Sequence, residues 1–238
     1  MKPLNVEDIR NYFIEELKNE RFTTDKTKQR TIEMLGSSFI ASEPAIFGTP
    51  NEEYIEREID WYLSGSTNIN DIYADDRDPP AAWVYSANRY GSINSNYGKL
   101  IFDYKYYSQY DNVLNELTLN KDTRRASMVY QRPSIWTEYN EDDKNDFICT
   151  NAVTYYIRDD KLHAVVQMRS NDVVFGYKND YAWQSYVLAQ LLTDLNAHRQ
   201  AEKDAGYGDI GQEDFTAGDI TWQVQNLHVY ERHFHLVK

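Results

Sequence analysis

The sequence predicts an α+β fold, and three observations carry that reading. Three segments in the first half have apolar residues at helical spacing. Two alternating segments around residue 160 are joined by a short acidic turn. Strands and helices do not alternate strictly, as a doubly wound parallel sheet would require. No internal repeat, low-complexity run or Pro/Gly/Ser-rich linker divides the 238 residues, so 1–238 is read as one domain.

In chain order, VEDIRNYFIEELKNE (6–20) is an amphipathic helix and TTDKTKQRT (23–31) a polar loop. NEEYIEREIDWYL (51–63) is the second helix. At about 100° per residue its Tyr54, Ile55, Ile59, Trp61, Tyr62 and Leu63 share a broad face, with Glu53, Glu56, Arg57 and Asp60 opposite. Glu58 breaks the pattern, because it projects into the apolar arc near Tyr54 and Tyr62. A carboxyl desolvated there has a raised pKa suited to proton transfer, unless it is simply a helix-edge glutamate bonded to a tyrosine. YSQYDNVLNELTL (107–119) is the third helix, and RRASMVYQRP (124–133) a strand ended by proline. NAVTYYIR (151–158) and LHAVVQMR (162–169) form a hairpin across Asp159–Asp160–Lys161. Asn179 is the expected cap of a long helix from about Asp180 through AWQSYVLAQLLTDLNA. Residues 198–218 read as a polar loop and 219–237 as one or two closing strands.

Composition narrows the function. A hydrophobic fraction of 41%, with 20 tyrosines and 9 phenylalanines, supplies a sizeable core. A net charge of −13 disfavours binding to nucleic-acid polymers, yet Arg124–Arg125, Arg132 and Arg169 sit at or near strand ends, where they suit a single small phosphate such as a mononucleotide's. No run approaches the roughly 20 apolar residues that span a bilayer. A lone cysteine forms no internal disulfide, so a reducing, cytoplasmic setting is expected.

That cysteine, Cys149 in DFICTNAV, is either inert packing or a nucleophile, and composition alone favours packing. A Cys–His–Asp hydrolase is not excluded by spacing. His228, His233 and His235 lack a second cysteine or an HExxH pattern, so no metal is expected. GSSF and GYGDIG lack the strand–GxxxxGK–helix context of a triphosphate loop.

MRSNDVVFGYKNDYAW (168–183) resembles the RSxDxxLGxPFNxA segment of the thymidylate synthase family. The resemblance recurs along almost the whole chain, in EREIDWYLSGSTNI (56–69), INSNYG (93–98), DTRRASMVY (122–130) and NLHVYERH (226–233). In this register Cys149 falls on the family's nucleophile. CTN replaces the usual Cys-His, and Met168 stands where glutamine precedes the arginine. Asp180 replaces an asparagine whose amide reads uracil; a carboxylate instead accepts from the 4-amino group of cytosine and shares a proton with N3. These departures resemble the phage-encoded branch of the family that hydroxymethylates deoxycytidylate.

The resemblance implies an α+β thymidylate synthase-like fold whose mixed sheets pack back to back in a homodimer. It also implies transfer of a one-carbon unit from 5,10-methylenetetrahydrofolate to C5 of dCMP, with water completing a hydroxymethyl group. Cys149 adds to C6, Asp180 stabilises a proton on N3, Glu58 manages protons and water, and Tyr97 helps remove the C5 proton. Arg169, Ser170 and Asn171 bind the nucleotide, joined by Lys26 and by Arg124 and Arg125 from the partner subunit. His228 and Tyr230 read the sugar hydroxyl; Trp83, Asp172 and Gly176 line the folate site. The chain closes at HFHLVK, ahead of the C-terminal segment that helps close that site in the phage enzymes it resembles, leaving water exclusion to differ here or the 198–218 loop to take over. Rival readings are a ribonucleotide-using CMP hydroxymethylase, a thymidylate synthase acting on dUMP, and a non-catalytic nucleotide-binding relative.

Overall fold

A computed structural model describes residues 3–24, 28–73, 77–206 and 213–238. β1 (Leu4–Asn5) leads into α1 (Val6–Lys18), which starts at a reciprocal cap: Asn5 Oδ1 accepts from Asp8 N, and Asp8 Oδ2 accepts from Asn5 N. Val6, Ile9 and Phe13 face the core at helical spacing. Part of the segment read as a loop is extended. β2 (Thr23–Thr24) pairs with β3 (Arg30–Ile40), a strand the sequence reading missed; Lys26 lies outside the described residues. Gly36, at φ +68°, explains the omission. Around it burial fails to alternate, with Leu35 and Gly36 both exposed and Thr31 and Ile32 both buried, although the register against the last strand stays continuous from Leu35–Asn226 to Ser37–Val224.

α2 (Glu52–Ser64) is capped by Asn51 and ends at left-handed Gly65. Its buried residues are Glu58, Trp61 and Tyr62, whereas Leu63, expected on the apolar face, is 43% exposed. α3 (Ala81–Ser86) and α4 (Tyr97–Phe102) follow, then α5 (Gln109–Leu119), close to its expected span. The strand expected over 124–133 shrinks to β4 (Ser127–Val129), followed by the single turn α6 (Ile135–Glu138). β5 (Thr150–Arg158) and β6 (Lys161–Met168) form the expected hairpin, with Asp159 and Asp160 at positive φ in its turn.

β7 (Asn171–Asp172) precedes α7 (Gly176–Asp204), which begins a turn earlier than the sequence suggests. The reason is Asp172: its Oδ1 accepts from the N–H groups of Val174, Phe175 and Gly176 at 3.0, 2.6 and 3.4 Å, so Asn179 lies inside the helix instead of capping it. α7 also absorbs residues 198–204. What remains of the expected loop is fastened nearby: Phe215 exchanges two hydrogen bonds with the Asn196 side chain, and Arg199 lies 3.8 Å over the Phe215 ring. Those anchors stand about 24–28 Å along the helix from Asp180, at 1.5 Å per residue, and residues 207–212 of the loop expected to close the site lie outside the described residues. β8 (Thr216–Tyr230) is one long strand, and Glu231–Leu236 is 3-10 helix, not strand.

The strands make one mixed sheet in the order β1-β3-β8-β6-β5-β4, with β2 on β3 and β7 on β8. A cross-strand row of Met128, Val153, Val166, Trp222 and Phe39 faces the helices, all 1% exposed or less. The alternate row of Ala152, Gln167, Gln223 and Ser38 points the other way and remains partly or fully exposed. Among the described residues no helix is long and apolar enough to cross a membrane.

Candidate active site

Four segments converge where β5 begins. Cys149 sits just before β5, and Arg169, just after β6, clamps the loop that carries it. Arg169 N donates to Cys149 O at 2.9 Å and Nε to Ile148 O at 2.9 Å. Nη2 donates to Phe147 O and lies 3.5 Å from Cys149 Sγ. Burial pushes the Cys149 thiol up to about 11, against the pull of Arg169, with Asp180 and Asp146 pushing the same way as burial.

Asp146 fixes this loop to the segment bearing Tyr97. Its carboxylate accepts from Asn94 N, Ser95 N and Ser95 Oγ at 2.6, 2.8 and 2.6 Å. Asn96 then caps α4 through Lys99 N and donates to the carbonyls of Trp61 and Ser66, which ties α4 to α2. A β-carbon on Gly98 would stand 2.0 Å from Tyr62 O, so only glycine permits this approach, which stacks the Tyr97 ring on Tyr62 at 5.3 Å. Burial, Asp180 and Cys149 hold the Tyr97 hydroxyl protonated well beyond the ordinary phenol range.

Glu58 is 4% exposed. Its Oε1 accepts from Tyr54 Oη, one turn earlier, and from Trp83 Nε1 at 3.0 Å. Burial raises the carboxyl to about 7 despite both donors. Asp180 reaches about 8, from burial first and the Glu58 charge second, offset by a 2.7 Å hydrogen bond from Asn171 Nδ2. Asn171 Oδ1 in turn accepts from Trp222 Nε1 at 3.2 Å. Tyr62 lies within the electrostatic reach of Glu58, Tyr97 and Asp180.

Of the residues expected from sequence, Cys149, Asp180, Tyr97, Glu58, Arg169 and Asn171 therefore form one cluster. Ser170 follows Arg169 and is half-buried. His228 pairs with Asp172 across the β7–β8 ladder, and its ring meets that of Tyr230 at 4.8 Å. Trp83 turns its N–H to Glu58. Gly176 lies against Asn171 and Asp180, where a β-carbon would stand 3.1 Å from Asn171 Nδ2. Asp172 Oδ2 is buried without a hydrogen-bond partner. Arg124 and Arg125 are exposed and lie elsewhere: Ala126 O accepts from Tyr155 N, six residues and about 20 Å along β5 from Cys149. Among the described residues there is no group of three His, Cys, Asp or Glu placed to hold a metal ion.

The sequence reading did not assign roles to Asp146, Tyr54 or Trp222. Tyr54 was within reach, four residues from Glu58 on one helix face. Asp146 and Trp222 act across 51 residues and leave no local signal.

A thymidylate synthase family model matches residues 17–238. The deoxycytidylate 5-hydroxymethyltransferases of Enterobacteria phages T4 and T6 are each 50% identical over 234 residues, covering 98% of this chain and 89% of theirs. The crystal structure of thymidylate synthase from T4 phage superposes with a TM-score of 0.72 at 19% identity, over 96% of this chain and 78% of that one. A desolvated cysteine within electrostatic reach of two carboxyls, on a mixed sheet of this topology, accords with those matches. The chain belongs to the thymidylate synthase family.

Proposed function

We propose that this protein is a deoxycytidylate 5-hydroxymethyltransferase that uses 5,10-methylenetetrahydrofolate and water. The observation that carries this reading is the buried cluster that brings Cys149, Tyr97 and Asp180 together, in which burial first and the Glu58 charge second push the Asp180 carboxyl up to about 8.

The chemistry follows from the charges. Cytosine is neutral at N3 near pH 7, so protonated Asp180 supplies the N3 proton while its other oxygen accepts from the 4-amino group. A protonated ring is the better electrophile at C6, and Cys149 adds there after losing its proton. Arg169, 3.5 Å from the sulfur, supplies the positive charge that offsets the cost of a buried thiolate. Addition at C6 makes C5 nucleophilic, and C5 bonds to the one-carbon unit. Tetrahydrofolate departs and the C5 proton is lost, leaving an exocyclic methylene. Water adds to that methylene and the sulfur leaves, which restores the aromatic ring.

Glu58, near pH 7 in both protonation states, suits the water-addition step. Tyr97, a phenol throughout the neutral range, donates hydrogen bonds and positions water for removal of the C5 proton; it is not itself a phenolate base. Asp172 Oδ2, buried without a hydrogen-bond partner and 4.0 Å from His233 Nδ1, suits an N–H donor such as the pterin ring of the folate offers, and Trp83 is assigned to the same co-substrate. Phosphate recognition is assigned to Arg169 and Ser170, with Arg124 and Arg125 of the partner subunit and with Lys26. His228 and Tyr230 are assigned to the sugar. This arrangement makes the active species a homodimer and the substrate a free mononucleotide.

The test is tritium release from 5-tritiated dCMP, CMP and dUMP in the presence of methylenetetrahydrofolate. Release from dCMP above the other two is expected, abolished in Cys149→Ser; no release from dCMP overturns the proposal.

A further inference from the structure

A neutral carboxylic acid is an ambiguous reader of pyrimidines. With its proton on the oxygen facing N3 and a bare oxygen facing position 4, it matches cytosine. With the proton on the oxygen facing position 4, it donates to O4 and accepts from N3–H, and so matches uracil. A protonated Asp180 therefore does not by itself select cytosine. Something must dictate which oxygen keeps the proton.

We propose that Asn171, locked by the indole of Trp222, dictates this choice and is the positioning residue for base specificity; the inference rests on the hydroxymethyltransferase reading. Trp222 Nε1–H is a donor only, so the atom of Asn171 that faces it at 3.2 Å must be the amide oxygen. The amide nitrogen is thereby turned to Asp180 Oδ2, to which it donates at 2.7 Å. An oxygen that accepts this bond is kept proton-free, and the acid proton goes to Oδ1. Cytosine is read when Oδ2 faces the 4-amino group and Oδ1–H faces N3.

A flipped amide would present its oxygen to Oδ2, so no donor would hold that oxygen proton-free and the arrangement that reads cytosine would lose its advantage over the one that reads uracil. The flip would also leave Trp222 N–H facing an NH₂ group in a site where Asn171 is 4% exposed and Trp222 fully buried, the costly outcome for two buried donors. Gly176 completes the arrangement. Its missing β-carbon, which would stand 3.1 Å from Asn171 Nδ2 and 3.9 Å from Asp180 Oδ2, leaves the donor free to reach the carboxyl. Asn171 thus acts through Asp180, whether or not it also touches the nucleotide.

Trp222→Phe keeps the ring and removes the N–H, which frees the amide to turn. Asn171→Leu removes the donor by a separate route. Initial rates of tritium release from 5-tritiated dCMP and dUMP, each over a range of concentrations, give the ratio of kcat/KM for the two bases. In both variants that ratio is expected to move toward dUMP by about tenfold, the scale of one buried hydrogen bond. A purely structural role lowers both rates together and leaves the ratio where it was. Binding of dCMP and dUMP without folate, measured by calorimetry, gives the same ratio for a variant too slow to assay. An unchanged ratio in folded Trp222→Phe or Asn171→Leu overturns the inference while leaving the activity intact. A wild-type protein that releases no tritium from dCMP overturns the activity and this inference with it.

Discussion

Glu58 and Asp180 belong to one desolvated cluster, and each holds its proton more tightly than an exposed carboxyl, at about 7 and about 8. Because the productive complex needs Asp180 protonated, kcat/KM for dCMP is expected to fall as pH rises through about 8, a limb that a pH–rate profile resolves and that Asp180→Asn removes along with most dCMP turnover. Tyr54→Phe takes away a donor that stabilises ionised Glu58. The Glu58-dependent limb, read from the pH dependence of kcat, should then move to higher pH by about one unit, the scale of one hydrogen bond to a charged group. Folding is linked to the same protons. Between the ordinary carboxylate range and about 7 to 8 the native state binds protons that the unfolded chain has released. Stability is therefore highest below that window, declines across it as pH rises, and levels off above it. Asp180→Asn lacks this liability. Its thermal midpoint should exceed that of the wild type near about pH 9 by an amount worth on the order of a few kcal/mol, with the gap closing near about pH 4; a gap independent of pH would contradict the assignment.

The placement of those carboxyls depends on how closely α4 approaches α2, and that depends on Gly98. Gly98→Ala puts a methyl group 2.0 Å from Tyr62 O, so the helices must separate. Thermal unfolding should show a loss of about 1–3 kcal/mol, the usual cost of overpacking, and the shifted Tyr97 should lower turnover in the same variant. Elements governed by their own periodicity were legible in the sequence: α1, α2, α5 and the β5–β6 hairpin. β3 was hidden because burial fails to alternate along it around Gly36, and the start of α7 because Asp172, eight residues before Asp180, is the side chain that caps it. The site divides along similar lines. Glu58 stood out from its helix phase, Cys149 from its uniqueness and Arg169 from its place at a strand end, whereas Asp180, Tyr97 and the sugar-binding role of His228 were recognised only through resemblance to a family. Asp146 on Ser95 and Trp222 on Asn171 are contacts between distant segments, and no local pattern encodes them.

At the scale of the molecule, one sheet face packs against helices while the other carries Ala152, Gln167, Gln223 and Ser38, with Leu35 at 73% exposure nearby. The edge at β4 is blunted, because the Gln109 side chain both donates to Val129 O and accepts from Val129 N. Association through the uncovered face is therefore favoured over strand addition at that edge, and such a pairing is isologous. Arg125, with its side chain 81% exposed, pairs through that side chain with Glu116 and lies far from Cys149 of its own subunit, which fits a role in the neighbouring site. Complementation tests this directly. Arg125→Ala and Cys149→Ser should each be inactive alone. Unfolded together and refolded as mixed dimers, they should recover roughly a quarter of wild-type activity, because half of the dimers then hold one site with neither substitution. If each site were built from a single subunit, every site in the mixture would carry one lesion and no activity would return.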